Sequence, residues 1–429
     1  MPPIQDHPLR YQLANELHAR PFPSLEAPCR AIYLAIKRPS DAASRDRSAD
    51  LAHLIDLLDR HGAQHPQPDA KHYSGKIGKA EIKWELHTEF VTYTAFLPGL
   101  GDTPFDPRDF GIFPEDWLEK APGVRMTSAM IRIARRPADP NQMNDVFSDW
   151  FVADSVAVSR MLDDALVVGG DFRIDPAGHQ RFGIFVSPGV GDRRVGRVVQ
   201  RICEIEVYKT MAMLGFTRVT AIRSDLIRID EDLTRLSTEM THGDTPEEDT
   251  LRALLRVSSE LETVAAQSAF RLSATAAYEA LVGQRIAVLR EERFEGRQTF
   301  REFMARRFDP AMRTVKSSEK QLSDMSARAM RAAELLRTSV EVKRSAQNQE
   351  ILASMDKRAD QQLQLQTTVE GLSVVAISYY AVSLVGYLLY PVADAVGISK
   401  GMLTAMSVLP VVLLVWLGIH RIRHKVEGH

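Results

Sequence analysis

Four short stretches of this chain carry residue types that could do chemistry. In Asn15-Glu16-Leu17-His18-Ala19-Arg20-Pro21-Phe22 a histidine follows closely on a glutamate, the pairing that acid–base work near neutral pH uses. The plainer reading is a surface helix whose His and Arg pin the N-terminal segment onto a folded domain. In Lys83-Trp84-Glu85-Leu86-His87-Thr88-Glu89-Phe90, strand alternation turns Glu85, His87 and Glu89 to one side and Trp84, Leu86, Thr88 and Phe90 to the other. Glu-His-Glu on one face is a set of metal-ligand types, but a solvated sheet face asks for less. His61, His65 and His72 fall in a Pro-rich stretch with no acid placed to complete a tetrahedral metal site.

The fourth stretch is Pro188-Gly189-Val190-Gly191-Asp192-Arg193-Arg194-Val195-Gly196-Arg197. A Gly-rich turn that opens a helix presents backbone amides. Arg193, Arg194 and Arg197 add charge, so a phosphate or lipid headgroup is the candidate ligand. It lacks the Gly-Lys-Ser/Thr ending of a phosphate loop and is not GxGxxG. A strand-to-helix linker is the plainer reading. There is no nucleophile elbow, no HExxH and no triad, so no catalytic residue, metal or cofactor is expected.

These stretches sit ahead of a C-terminus of different character. Residues 371 to 393 and 401 to 420 are apolar and uncharged. Each reaches ~30 Å as a helix, about the thickness of a bilayer core. A membrane hairpin is expected, with spans at 371–390 and 402–420 inside a 371–420 segment and a basic tail at 421–429. The tail holds Arg421, Arg423 and Lys425, so the positive-inside rule makes it cytoplasmic and the interhelical loop external. Both termini are then cytoplasmic, at the inner membrane of a bacterium. Met1-Pro2-Pro3-Ile4-Gln5-Asp6-His7-Pro8 has no basic or apolar region of a signal peptide. Ser378, Ser383, Tyr387 and the loop acid Asp394 are the candidate pore or helix-contact residues. Ser378 and Ser383 lie about 140° apart around a helix, so they form no clean seam.

Residues 1–195 read as a mixed α and β cytoplasmic domain. Strand-like runs occupy Cys29 to Ile36, Ala80 to Leu97 and Val124 to Ala134, and a hairpin occupies Asp171 to Val186. A helix is expected over 48 to 61, and the proline-rich stretches 98 to 122 and 135 to 140 are connecting loops. Residues 196–370 read as a long-helix bundle or stalk. One helix runs from Arg197 to about Met240. A second, of ~90 Å if straight, runs from a Thr245-Pro246 start to about Arg307, with a kink near Gly296. A third starts near Ala311 and runs unbroken into the first span, ~120 Å in all. Its stripes Leu322, Met325, Ala329, Ala332, Leu336 and Leu352, Met355, Ala359, Leu363 are narrow, like those of a coiled coil. They fit a three-helix bundle within one chain or contacts between chains of a homo-oligomer.

Composition narrows the classes. The chain has 429 residues and a formal charge of −2, with no basic excess to attract nucleic acid. Two isolated cysteines make neither a disulfide framework nor a zinc site, which suits a reducing compartment. The expected partners are the lipid bilayer and further copies of the chain.

The opening His7-Pro8-Leu9-Arg10 with Asn15 to Phe22, the stretch Trp84, His87-Thr88-Glu89-Phe90 and the terminal hairpin together resemble one bacterial family. It is the membrane-anchored domain-of-unknown-function family number 3422. The resemblance implies location and architecture but no activity. In layout the chain is also similar to CorA-type magnesium transporters, which join a cytoplasmic domain through long helices to two spans. Those channels place Gly-Met-Asn after the first span. Here that place reads Tyr390-Pro391-Val392. The first functional expectation is a non-enzymatic, membrane-anchored scaffold or sensor facing the cytoplasm. The alternatives are a CorA-like ion-transport protein with an altered filter, and a membrane-tethered enzyme.

Overall fold

The computed structural model describes residues 4–11, 13–14, 22–40, 42–68, 70–242, 245–397 and 399–426, without the side chains of 140, 392–396 and 423–426. It divides into two compact units, Met1–Thr245 with Arg252–Ala332, and Pro246–Leu251 with Ala333–His429.

The first unit opens with β1 (Cys29–Lys37), followed by helix α1 (Arg47–Arg60). Asp46 caps α1 by accepting from the Ser48 amide at 2.9 Å, and Leu54, Leu57 and Leu58 form its buried stripe. Then come β2 (His72–Ile77), β3 (Ala80–Leu86) and β4 (Phe90–Pro98). The stretch 98 to 122 is not loop throughout: it holds a 3-10 turn (Pro107–Ile112) and the short helix α2 (Glu115–Glu119). β5 (Val124–Arg135) follows, and the proline stretch after it opens helix α3 (Pro140–Trp150), capped by Asp139. β6 (Ala157–Met161) leads to the hairpin of β7 (Leu166–Ile174) and β8 (Gln180–Val186).

The strands make one nine-stranded sheet in the order β2-β3-β4-β1-β5-β8-β7-β6-β9, where β9 is Glu292–Arg293. Every pairing is antiparallel except β5 with β8. Side-chain alternation gives the sheet two faces. On one, Ile32, Leu34, Ile82, Trp84, Val91 and Tyr93 pack against Leu54 and Leu57 of α1 and Trp117 of α2. On the other, Ala31, Tyr33, Ala35 and Phe96 meet Val195, Val198, Val199 and Ile202. Those four belong to α4 (Asp192–His242), a helix of 51 residues.

The helix expected to reach Arg307 ends twenty residues earlier. α5 spans Glu247–Ala287. Beyond it Arg290, Glu295 and Gly296 take positive φ angles of 49°, 44° and 72°, which no helix accommodates. No proline marks this stretch, but Arg293 and Glu292 pair with Ser159 and Arg160 of β6. Helix α6 (Phe300–Arg307) starts afresh with a capping box of Thr299 and Glu302. α7 (Asp309–Val396) is a single helix of 88 residues, so the third helix does run on into the first apolar segment.

In the second unit, Glu247 accepts from Ser339 of α7 at 3.1 Å and pairs with Lys343. From residue 341 to residue 369 every side chain is exposed. The unit ends with α8 (Lys400–Val426). Among the described residues two helices are therefore long and apolar enough to cross a membrane, within Asp309–Pro391 and Lys400–Ile422.

Candidate functional site

A helix laid on a sheet normally buries apolar side chains. At one place in the first unit the sheet offers α4 a polar surface instead. Strand register sets it: Tyr33 of β1 lies opposite Thr94 of β4, which lies opposite Lys83 of β3. One step along, Ala35, Thr92 and Glu85 make the next row. Alternation forces these onto the face away from Trp84 and Tyr93. α4 roofs the rows with Val199, Gln200, Cys203, Glu204, Val207 and Tyr208, a helical repeat of one turn. Arg285 of α5 closes one side, and Phe22 and Pro23 line the pocket from the N-terminal segment. The pocket, open on one side, has a volume of about 230 Å³.

The N-terminal segment is held by its backbone. Leu25 donates to the Asp192 carbonyl at 3.1 Å, and Gly196 lets Pro23 approach α4 closely. Arg197 and Arg201 lie over the Phe22 ring at 5.2 and 5.0 Å.

Charge inside the pocket is arranged as a chain. Lys83 Nζ donates to Gln200 Oε1 at 2.8 Å and lies 3.3 Å from Glu85. Gln200 Nε2 donates to Glu204 Oε1 at 2.8 Å. The other oxygen of Glu204 accepts from Arg201 at 2.6 Å and also from Arg285. Arg201 keeps a buried Nε without an acceptor. A buried donor left unmade costs about 1–3 kcal/mol, and a buried lysine costs more unless it is paired. A leucine at 83 would avoid that cost. Burial pushes the Cys203 thiol well up, so it stays protonated and is a poor nucleophile.

The expected sites fall out unevenly. Glu85 and His87 do share the pocket, but their face is roofed by α4 rather than solvated. Glu89 leaves them: it is 1% exposed, and Arg271 and Tyr278 hold its carboxylate. His87 instead stacks on Phe90 at 4.3 Å. Among the described residues no group of three or more His, Cys, Asp or Glu side chains could hold a metal ion. His65 pairs with Asp59 at 2.6 Å, and His72 begins β2. Residues 15–21 of the opening motif lie outside the described residues; Phe22 is the part of it that the pocket shows.

The three arginines of the Gly-rich turn open α4 and have separate surroundings. Arg193 is exposed, Arg194 donates to the Leu162 carbonyl at 2.7 Å, and Arg197 lies over Phe22. On the first apolar helix Ser378 is buried, Ser383 donates to the Tyr379 carbonyl of its own helix at 2.9 Å, and Tyr387 is exposed. The Asp394 side chain lies outside the described residues. Gln200, Arg201, Glu204 and Arg285 were not anticipated from the sequence. Their one signal is a pair of polar residues, Gln200 and Glu204, one turn apart beside the apolar Val199, Cys203 and Val207.

The family described as "Protein of unknown function (DUF3422)" matches residues 5–426 of the chain. No curated protein matches it.

Proposed function

The chain belongs to the DUF3422 family, and from that premise we propose that it is a membrane-anchored sensor or scaffold whose sheet unit faces the cytoplasm and binds a small ligand. The observation that carries the sensor reading is the polar pocket at a sheet-to-helix contact. Lys83, Glu85, Thr92 and Thr94 occupy positions where apolar side chains would stabilise the contact, and a ligand site accounts for their presence.

Anchoring is supported by exposure. Only 11% of the most apolar window of α7 and 6% of that of α8 is buried, whereas a core helix would be mostly buried. In water such faces are unfavourable, and in a bilayer they are at home. A non-enzymatic role is supported by the pocket's chemistry: its cysteine is protonated and its glutamates are tied to cations.

The test is direct. Full-length protein purified without heating is denatured, and the small molecules released are compared with those from a Thr94→Trp variant, whose indole fills the cavity. A compound released by the wild type and missing from the variant supports the pocket as a ligand site. Identical releases from the two folded proteins overturn it.

A further inference from the structure

We propose that this pocket takes a small organic acid with one carboxylate at one end and an amine or hydroxyl at the other. The inference rests on the sensor reading and gives its ligand a chemical class.

The carboxylate end follows from how the cations are used. Three cations, Lys83, Arg201 and Arg285, face two carboxylates, Glu85 and Glu204. Arg201 and Arg285 converge on the same oxygen, Oε2 of Glu204, while Gln200 takes Oε1. Glu204 therefore has three of its about four acceptor positions filled. A guanidinium carries five N–H donors, and Arg201 still holds a buried Nε–H with no acceptor. Two planar donor groups with one positive charge left over suit a single carboxylate, which accepts in parallel pairs. A dianion would overcompensate that charge, and a molecule with no carboxylate would leave the guanidinium donors unused.

The other end follows from the floor. Glu85 has Lys83 as its ion-pair partner at 3.3 Å and lies opposite Thr92 in the strand register. Carboxylate and hydroxyl together accept from an ammonium or a hydroxyl. The space of about 230 Å³ is below the ~300–1,000 Å³ of drug-sized pockets, so a short molecule suffices to span the two ends.

Full-length protein in mild detergent is titrated calorimetrically with lactate, 4-aminobutyrate, acetate, ethanolamine and inorganic phosphate. Lactate and 4-aminobutyrate are expected to bind saturably. Acetate, with no second polar end, should bind more weakly, and ethanolamine should not bind. Arg285→Lys keeps the charge but loses the fork, and should weaken both acids at least tenfold. Glu85→Gln should weaken 4-aminobutyrate and not weaken acetate. Should Arg285→Lys fail to fold, Thr92→Val removes a floor hydroxyl and should weaken lactate and 4-aminobutyrate relative to acetate. Saturable binding of ethanolamine or phosphate in preference to the acids overturns the class and leaves the ligand pocket standing. So does a native released compound that has no carboxylate. Silence of all five probes, with nothing released from the native protein, overturns both.

Discussion

A β-carbon built on Gly196 would sit 1.9 Å from the carbonyl oxygen of Pro23. No side chain fits there, and the obstacle is backbone rather than a movable side chain. Gly196→Ala must therefore push the N-terminal segment off α4 and take Phe22 away from the pocket. The expected cost is about 1–3 kcal/mol of stability, the usual price of forcing extra volume into a packed contact. Urea unfolding of the full chain measures it. Since Arg197 and Arg201 lie over Phe22, ligand affinity should fall with it. An alanine variant of unchanged midpoint would mean that the segment is not held against the helix.

Arg45 is a second such keystone. Its buried guanidinium pairs with Asp50 at 2.7 Å and donates to the carbonyls of Ala42, Thr88, His87 and Phe90. It thereby ties the β3–β4 turn to the start of α1. Arg45→Met leaves the buried Asp50 carboxylate without its cation and takes one donor from each of four carbonyls, and should cost about 3–5 kcal/mol. Arg45→Met with Asp50→Leu should recover part of that loss, because the stranded charge is gone. The measurement is the pair of urea midpoints. Equal destabilisation by the single and double variants would show that the carbonyls, not the ion pair, dominate.

Glu291 makes stability depend on pH. Burial raises its pKa to about 7, against the opposing hydrogen bond from the Arg301 amide, and its Oε1 has no partner. A carboxyl raised on folding stabilises the protein fully below its unfolded value of 4.5 and loses that contribution as pH rises through about 7. The loss amounts to about 3 kcal/mol. Glu291→Gln should flatten the profile between pH 5 and 8 and be the more stable protein at pH 8. Thermal midpoints across that range decide it, and a wild-type slope that persists in the variant assigns the titration to another group.

The proposed topology is open to thiol labelling. Cys29 and Cys203 are both buried and free, and burial pushes Cys29 up to about 12, so the native thiols should stay silent. Ser399→Cys should then react with an impermeant maleimide in intact cells, and Lys425→Cys only after permeabilisation. The reverse pattern would invert the orientation. Deleting residues 371–429 should move the protein to the soluble fraction.

The parts of the fold that were legible are those whose signal is local. β1, β4, β5 and the β7–β8 hairpin announce themselves by β-branched and aromatic runs, and α1 by its cap and its leucines. β2 was hidden because His72, Ser74, Gly75 and Lys76 make a polar edge strand, as edge strands are built to be. The end of α5 was hidden because no proline falls between Pro246 and Pro310, and the helix formers Arg290-Glu291-Glu292-Arg293 occupy the stretch whose backbone turns at Arg290 and Gly296. The pocket was half legible. Alternation put Glu85 and His87 on one face. Their covering helix enters more than a hundred residues later, and that long-range contact turns a seemingly solvated face into a cavity.

The uncovered run of α7 has a consequence of its own. From residue 344 to 369 no side chain is buried, so melting a turn there forfeits no buried contact, only helical hydrogen bonds. Its amides should trade protons with solvent much sooner than those of the sheet, whose exchange waits for cooperative opening. Helix and coil interconvert within microseconds. The molecule thus carries two clocks, a fast one in the bare helix and a slow one in the sheet, and deuterium uptake reads them separately.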